Sequence, residues 1–310
     1  MKNKGIHHIS IISGDGQENA NFYVKSLGLR MVLKTVNQDD PSNYHLFYAN
    51  GSGQPGSSIT FFPWPNAVNA SYGTGETVAV SFSVPDNSFD FWIERFANLN
   101  IPFDSPETRF GKNILKFRDP DGLPLELVED SRSDNIEPWM DSDVPAKYAI
   151  RGFWGSNLRL TESESTARVL TEILGFKQTQ IEDNLTLFET ESALGHSIIF
   201  EKEESESYGR TGKGTVHHVA FRAKDEDELE SMREQVISLG LNPTGIIDRH
   251  VFKSVYFQTL GGVLFEMATD GPGYSSVAET DEEMGKKLFL PPWLEKDREA
   301  IENNLPPVEV

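Results

Sequence analysis

The chain has 310 residues with 28 Lys and Arg against 48 Asp and Glu, a formal charge of −20, and no cysteine. A surface this acidic repels phosphate backbones and anionic lipid heads, which argues against nucleic acid and membrane surfaces as partners. Without thiols, disulfides, thiolate zinc sites, iron–sulfur clusters and cysteine nucleophiles are excluded. Apolar residues make up 37%, with 20 Phe, 8 Tyr and 5 Trp, enough to pack a core. No apolar run approaches the ~20 residues of a membrane span, and no signal core precedes His7-His8, so the expected location is the cytoplasm.

In chain order, Gly5-Ile-His-His-Ile-Ser-Ile-Ile12 opens as an apolar, β-rich run. A helical pattern follows, with Ala20, Tyr23 and Leu27 at i, i+3, i+7 and Gly28 where a C-cap belongs. Ser58-Ile-Thr-Phe-Phe62 closes this unit. Thr77-Val-Ala-Val-Ser-Phe-Ser-Val84 opens a second, whose helix ends at Leu99-Asn-Ile101 and whose hairpin Phe117–Glu126 turns on Asp-Pro-Asp-Gly. The stretch 131–148, with Ser-Arg-Ser-Asp and two prolines, reads as a linker.

Gly152-Phe-Trp-Gly-Ser-Asn-Leu158 opens a third unit. Thr161 with Glu164 forms the pattern of a capping box, and Ala167, Leu170 and Leu174 repeat the helical spacing before Gly175. Ser197-Ile-Ile-Phe-Glu201 closes it. Thr215-Val-His-His-Val-Ala-Phe221 opens a fourth, with a helix ending at Leu239-Gly-Leu241. Its closing segment Phe257–Glu266 aligns without gaps on Phe117–Glu126. Residues 271–310 form a polar, proline-containing tail with a short docked helix over Glu295–Asn303.

The repeats define an α+β fold of four βαβββ modules, about 5–65, 75–130, 150–203 and 213–270, which pair into two cup-shaped half-barrels. Along the chain they fall as 1–130 (modules one and two), a linker 131–148, 149–270 (modules three and four) and a tail 271–310. The first and last strands of each module point side chains into a cup. The equivalent positions are His8, Val80, Gly155 and His218 on the first strands, and Phe62, Glu126, Glu201 and Glu266 on the last.

Pairing one with two and three with four splits the histidines. Pairing one with four collects His8, His218 and Glu266 in one cup, with Phe62 at the fourth position. Two histidines and one carboxylate with open positions suit non-haem Fe(II), so this pairing is favoured. A strand histidine is more often structural than ligating. Two His-His pairs at equivalent places in two repeats, among seven histidines, reverse that balance. Glu126, alone in its cup, reads as a hydrogen-bonding strand residue, Glu201 as the solvated start of the acidic run 201–204, and His45 and His196 as structural.

Gly5-Ile-His-His-Ile-Ser, Phe22-Tyr-Val-Lys-Ser-Leu-Gly28 and Asp119-Pro-Asp-Gly122 resemble the vicinal oxygen chelate superfamily, the glyoxalase, bleomycin-resistance and extradiol dioxygenase fold. Gly152-Phe-Trp-Gly, Gly214-Thr-Val-His-His-Val-Ala-Phe221, Gly261-Gly-Val-Leu-Phe-Glu266 and Leu290-Pro-Pro-Trp-Leu-Glu295 resemble its ring-cleaving dioxygenases for hydroquinones, over nearly the whole chain. The resemblance implies Fe(II), with Mn(II) as the alternative metal, held by His8, His218 and Glu266. It implies a small aromatic substrate and O2, active-site roles for Arg249 and Tyr256, a substrate contact from Ser10, and a proton donor or acceptor in His217. Tyr256 shares strand parity with Glu266, whereas His217 has the opposite parity to His218. Phe62 and Trp154 are expected to line an apolar pocket.

Two rival functions fit the same fold. A glyoxalase-like isomerase or thiol transferase on Ni²⁺, Zn²⁺ or Mn²⁺ usually has a fourth protein ligand, which Phe62 cannot supply. A non-enzymatic binder of drugs or aromatics needs no triad. Ring substituents and homo-oligomerisation stay open.

Overall fold

The computed structural model describes residues 4–202 and 207–310. The end of the acidic run, residues 203 and 204, lies outside them. Module one holds β1 (Ile6–Ser13), α1 (Gly16–Ala20), β2 (Arg30–Asn37), β3 (Asp40–Ala49) and β4 (Ser58–Pro63). Module two holds β5 (Glu76–Val84), α2 (Phe89–Asn98), β6 (Glu107–Arg109), β7 (Lys112–Arg118) and β8 (Pro124–Glu129). In module three are β9 (Gly152–Arg159), α3 (Glu164–Arg168), β10 (Lys177–Glu182), β11 (Leu185–Glu189) and β12 (Ser197–Glu201). Module four comprises β13 (Thr215–Ala223), α4 (Glu226–Ser238), β14 (Ile247–Asp248), β15 (Lys253–Gln258) and β16 (Leu264–Thr269). A last helix, α5 (Arg298–Asn304), closes the tail.

Two eight-stranded sheets result, in the orders β14-β15-β16-β13-β1-β4-β3-β2 and β10-β11-β12-β9-β5-β8-β7-β6. Module one therefore shares a sheet with module four, and module two with module three. At the seams β1 runs antiparallel to β13 and β5 to β9. This joins the two ends of the chain in one curved sheet.

The helices pack by the expected spacing. In α2, Phe89, Trp92 and Phe96 are buried at i, i+3, i+7, and Phe96 meets Phe117 of β7 at 4.7 Å. Gly28 and Gly175 end the first and third helical stretches at φ 74° and 75°, a region that glycine enters without a Cβ penalty. The cap of α3 differs from expectation. Glu162, not Thr161, accepts the Glu164 and Ser165 amides, because its carboxylate reaches back over the first turn.

Both seams carry β-bulges. His7 and His217 have no partner in the β1–β13 ladder, and Val78 and Trp154 have none in the β5–β9 ladder. An extra residue changes side-chain facing beyond it, so strand parity fails as a guide there. Matching the ladders corrects the equivalences. Ala220 pairs with Glu266, Ser81 with Glu126, Ser10 with Thr60 and, by extension from Gly155–Ser197, Asn157 with Ile199. The positions matching His218 and Glu266 are thus Ala79 rather than Val80, Thr60 rather than Phe62, and Ile199 rather than Glu201.

The tail docks along the edge of the first sheet. Phe289 donates its N–H to the Lys34 carbonyl (2.9 Å), and Thr35 Oγ1 donates to the Phe289 carbonyl (2.8 Å). This covers unpaired groups of β2. Among the described residues no helix is long and apolar enough to cross a membrane.

Candidate metal centre

His8 on β1, His218 on β13 and Glu266 on β16 converge in the cup of the first sheet, all buried. His8 Nε2 and His218 Nε2 lie 3.3 Å apart, and Glu266 Oε2 is 3.2 Å from the first and 2.9 Å from the second. Ligand atoms ~2.1 Å from one ion on adjacent octahedral corners are roughly 3 Å apart, so the spacing fits a shared ion. The direction of the contacts fits too. Glu266 Oε2 is buried yet takes part in no well-directed hydrogen bond, as expected when it and both imidazole lone pairs aim at a common point. Oε1 is fixed separately by the Ser254 hydroxyl.

The histidine pairs explain each other through the bulges. His7 Nδ1 lies 2.9 Å from His8 Nδ1, and His217 Nδ1 lies 2.8 Å from His218 Nδ1. If both Nε2 atoms carry lone pairs toward the common point, His8 and His218 must donate from Nδ1 to the preceding histidine. His7 then donates from Nε2 to the Thr269 carbonyl, 3.1 Å away. Among the described residues His217 has no such further partner, and its ring lines the cavity. Its opposite parity is undone by the bulge, which brings it to the same side as His218.

Charge is balanced by contact. Burial pushes the Glu266 carboxyl up, but the adjacent His8 and His218 reverse this and leave it well below the usual range. Burial lowers His218 against the opposing pull of Glu266. Burial, with His218 beside it, lowers His217 to about 4, so it is neutral at pH 7.

A cavity of about 370 Å³ opens over the triad. Phe47, Phe62, Phe252, Leu264 and Phe289 give it apolar walls, and His45, Arg249 and Tyr256 supply polar points. Tyr256 pairs directly with Glu266 across β15–β16, and its hydroxyl lies 3.3 Å from Arg249 Nε. Arg249 also reaches Gln38 at 3.5 Å and Asp39 at 3.4 Å, joining the β14–β15 corner to the β2–β3 hairpin over the cavity.

Three sequence expectations need correction. Trp154 lies in the other sheet, among Phe110, Ile114, Val128, Leu187 and Ile199, because module three pairs with module two. Ser10 shares the cup-facing parity of His8 but is wholly buried, bonded to Thr60 Oγ1 at 2.7 Å, and does not line the cavity. Glu201 is not free in solvent; it accepts from Arg159 Nη2 at 2.9 Å. His45 was missed. Its ring stacks on Phe62 at 4.1 Å, its Nε2 bonds Thr60 Oγ1 at 2.9 Å, and it faces the cavity. The signal was present, since Tyr44-His-Leu-Phe-Tyr48 alternates and puts His45 on one face with Phe47.

The profile of the Glyoxalase/Bleomycin resistance protein/Dioxygenase superfamily matches residues 5–127 and 157–267, segments that contain all three converging donors. The chain belongs to that superfamily. Within it, the chain is similar along its whole length to ring-cleaving dioxygenases. It is 40% identical over 309 residues to a Bacillus subtilis (strain 168) protein named "Putative ring-cleaving dioxygenase MhqO", covering 100% of this chain and 98% of that one. It is 30% identical over 311 residues to the chlorohydroquinone/hydroquinone 1,2-dioxygenase of Sphingobium indicum, covering 96% and 94%. A crystal structure titled as a putative dioxygenase from Bacillus subtilis superposes with a TM-score of 0.95 at 39% identity, covering 100% and 99%. Glyoxalase I from Zea mays shares the fold at a TM-score of 0.64 and 15% identity over 86% of this chain and 93% of that one. The chain is accordingly an enzyme of the ring-cleaving dioxygenase class.

Proposed function

We propose that this enzyme is an Fe(II)-dependent, extradiol-type dioxygenase that opens hydroquinone-like 1,4-dihydroxy rings with O2. The observation that carries the reading is the His8, His218 and Glu266 donor set at the base of an apolar cavity, with Glu266 Oε2 lacking a directed hydrogen bond. The name of the Sphingobium indicum relative supports the substrate class.

His8, His218 and Glu266 would hold the ion from one side. When bound, Fe(II) supplies open positions for a phenolate oxygen and O2 and lets ring electrons reach oxygen. Each turnover keeps both oxygen atoms in the product and needs no outside reductant, because the electron-rich ring is the electron source. Phe47, Phe62 and Phe252 bury the ring and exclude water. Arg249 and Tyr256 hold the remote hydroxyl, which a 1,4-diol cannot place beside the first. His217, neutral and accepting from His218 at Nδ1, carries its own hydrogen on Nε2 and donates it as a hydrogen bond to a substrate oxygen in the cavity. The same donors also accept Mn(II).

The test is to load purified protein with Fe(II) without oxygen, then add air and methyl-, chloro- or unsubstituted hydroquinone. Oxygen uptake with ring-opened product is expected. Neither appearing for any of the three, with iron bound, overturns the reading. Loading Mn(II) in parallel separates the two metals.

A further inference from the structure

Module one lends the first cup a polar group that the metal centre does not use. In β3, Phe47 pairs with Thr60 as Tyr256 pairs with Glu266 in module four. Two residues back along these strands stand His45 and Ser254. Ser254 bonds Glu266 and so steadies a metal donor. His45 bonds Thr60 at the matching place, with Nε2 2.9 Å from Oγ1. The repeat thus keeps the contact but exchanges a hydroxyl on a carboxylate for an imidazole on a hydroxyl. The imidazole also lines the cavity over the triad.

The hydrogen bonds fix which ring nitrogen carries the hydrogen. Ser10 Oγ lies 2.7 Å from Thr60 Oγ1, and both residues are fully buried. Among the described residues neither hydroxyl has a partner outside the Ser10–Thr60–His45 chain. Each hydroxyl has one hydrogen to place. If His45 donated from Nε2, the Ser10 or the Thr60 hydrogen would be left without an acceptor in a dry site, which is costly. Only the order Ser10 to Thr60 to His45 Nε2 places both. Burial, and after it the neighbouring His8, hold the ring well below its usual pKa, so it is neutral at pH 7. Its single N–H is therefore on Nδ1. That atom has no partner among the described residues and stays open at the cavity that the ring lines.

The donor is held in place. The His45 ring packs against Phe47 and Phe62, with centroids 4.0 and 4.1 Å away. Its strand, β3, is third from the seam on the module-one side, as β15 with Tyr256 is on the module-four side. The two residues therefore face the cavity from opposite walls of the curved sheet. Arg249 and Tyr256 take the remote hydroxyl from one wall, so His45 meets another part of the ring. An oxygen-bearing substituent there accepts from Nδ1, whereas an alkyl group of the same size strips water from that N–H and returns no bond. We propose that His45 determines specificity, its Nδ1–H selecting hydroquinones with a methoxy or acyl substituent over those with an alkyl one. This specificity presupposes the hydroquinone activity proposed for the first cup.

The probes are methoxyhydroquinone and ethylhydroquinone, near in size and differing by one ether oxygen. Each is titrated calorimetrically, without oxygen, into the Fe(II)-loaded full chain and into His45→Phe and His45→Leu, two variants so that one misfolding leaves the other. Wild type should bind methoxyhydroquinone about fivefold more tightly, the worth of one hydrogen bond. Both variants should remove that preference, chiefly by weakening methoxyhydroquinone. Wild type binding neither ligand, or both equally, overturns the proposal whatever the variants do. So does a preference that persists in a folded variant, or an equal loss of both ligands, which would make His45 a packing residue. Failure of the underlying activity looks different: on admitting air no hydroquinone consumes oxygen, although the binding preference still depends on His45.

Discussion

His8 and His218, 210 residues apart in sequence, bring their Nε2 atoms to 3.3 Å across the seam between the first and last modules. The carboxylate of Glu266 completes that contact from the neighbouring strand. Glu266→Gln keeps the size and removes the negative charge of the three-residue donor set. Metal content after dialysis against a weak chelator should fall by at least ~100-fold in affinity, more than the ~10–100-fold typical of losing an outer hydrogen-bond partner. Glu126→Gln, the matching change in the other cup, should leave metal content unaltered.

His217 gives a different signature. It touches the metal site only through His218 Nδ1, while its ring faces the cavity. His217→Gln should keep the metal, since its amide oxygen can still accept from His218 Nδ1, and lower kcat by about tenfold, the loss of one hydrogen bond to the substrate. Metal analysis together with oxygen uptake under saturating hydroquinone checks both halves. Loss of metal in this variant would make its role structural support of His218.

Arg249 and Tyr256 act as a pair, 3.3 Å apart at the cavity wall. Tyr256→Phe removes one hydrogen bond and should lower kcat/KM by about tenfold. Arg249→Met removes a charged partner and the tie to Asp39, and should cost roughly a hundredfold. The double variant should cost less than the product of the two, because both hold one hydroxyl. Steady-state kinetics on hydroquinone against phenol, which lacks the remote hydroxyl, reads the effect directly.

The β-rich openings, the four repeats and the triad were legible because each rests on local pattern: an apolar run, a glycine at the helix end, a His-His pair recurring in two units. What was not legible depends on ladder register. His7, Val78, Trp154 and His217 are unpaired across the seams, and nothing in a single strand announces such a residue. The bulges therefore misled the assignment of Val80 and the parity argument against His217. The counts from β1 and β9 to β4 and β12 likewise misplaced Phe62 and Glu201, where Thr60 and Ile199 hold the register.

That difference can be measured. Phe62 still lines the cavity, stacked on His45, whereas Trp154 is buried in the other sheet. Phe62→Ala should raise KM for hydroquinone roughly tenfold through lost aromatic contact. Trp154→Phe should lower Tm and leave kcat/KM within about twofold, since distant sites act independently. Comparable losses of kcat/KM in both would return Trp154 to the substrate pocket.

Asp119, in the Asp-Pro-Asp-Gly turn, links pH to stability away from the site. Its carboxyl is buried, which pushes it up to about 7, against the opposing Leu123 amide bond and with Asp121 adding to the rise. The Tyr23 hydroxyl lies 3.1 Å from Oδ2. A carboxyl raised in the folded state favours folding when protonated. Its contribution is fully present below the ordinary value near 3.8 and is lost as pH climbs to about 7. Tm should therefore carry a component that falls across that window. Asp119→Asn keeps an oxygen acceptor for the Asp121 and Leu123 amides and cannot ionise, so its Tm should lack that component and exceed wild type most clearly near pH 8. Parallel Tm–pH profiles of the two proteins would place the ionisation elsewhere.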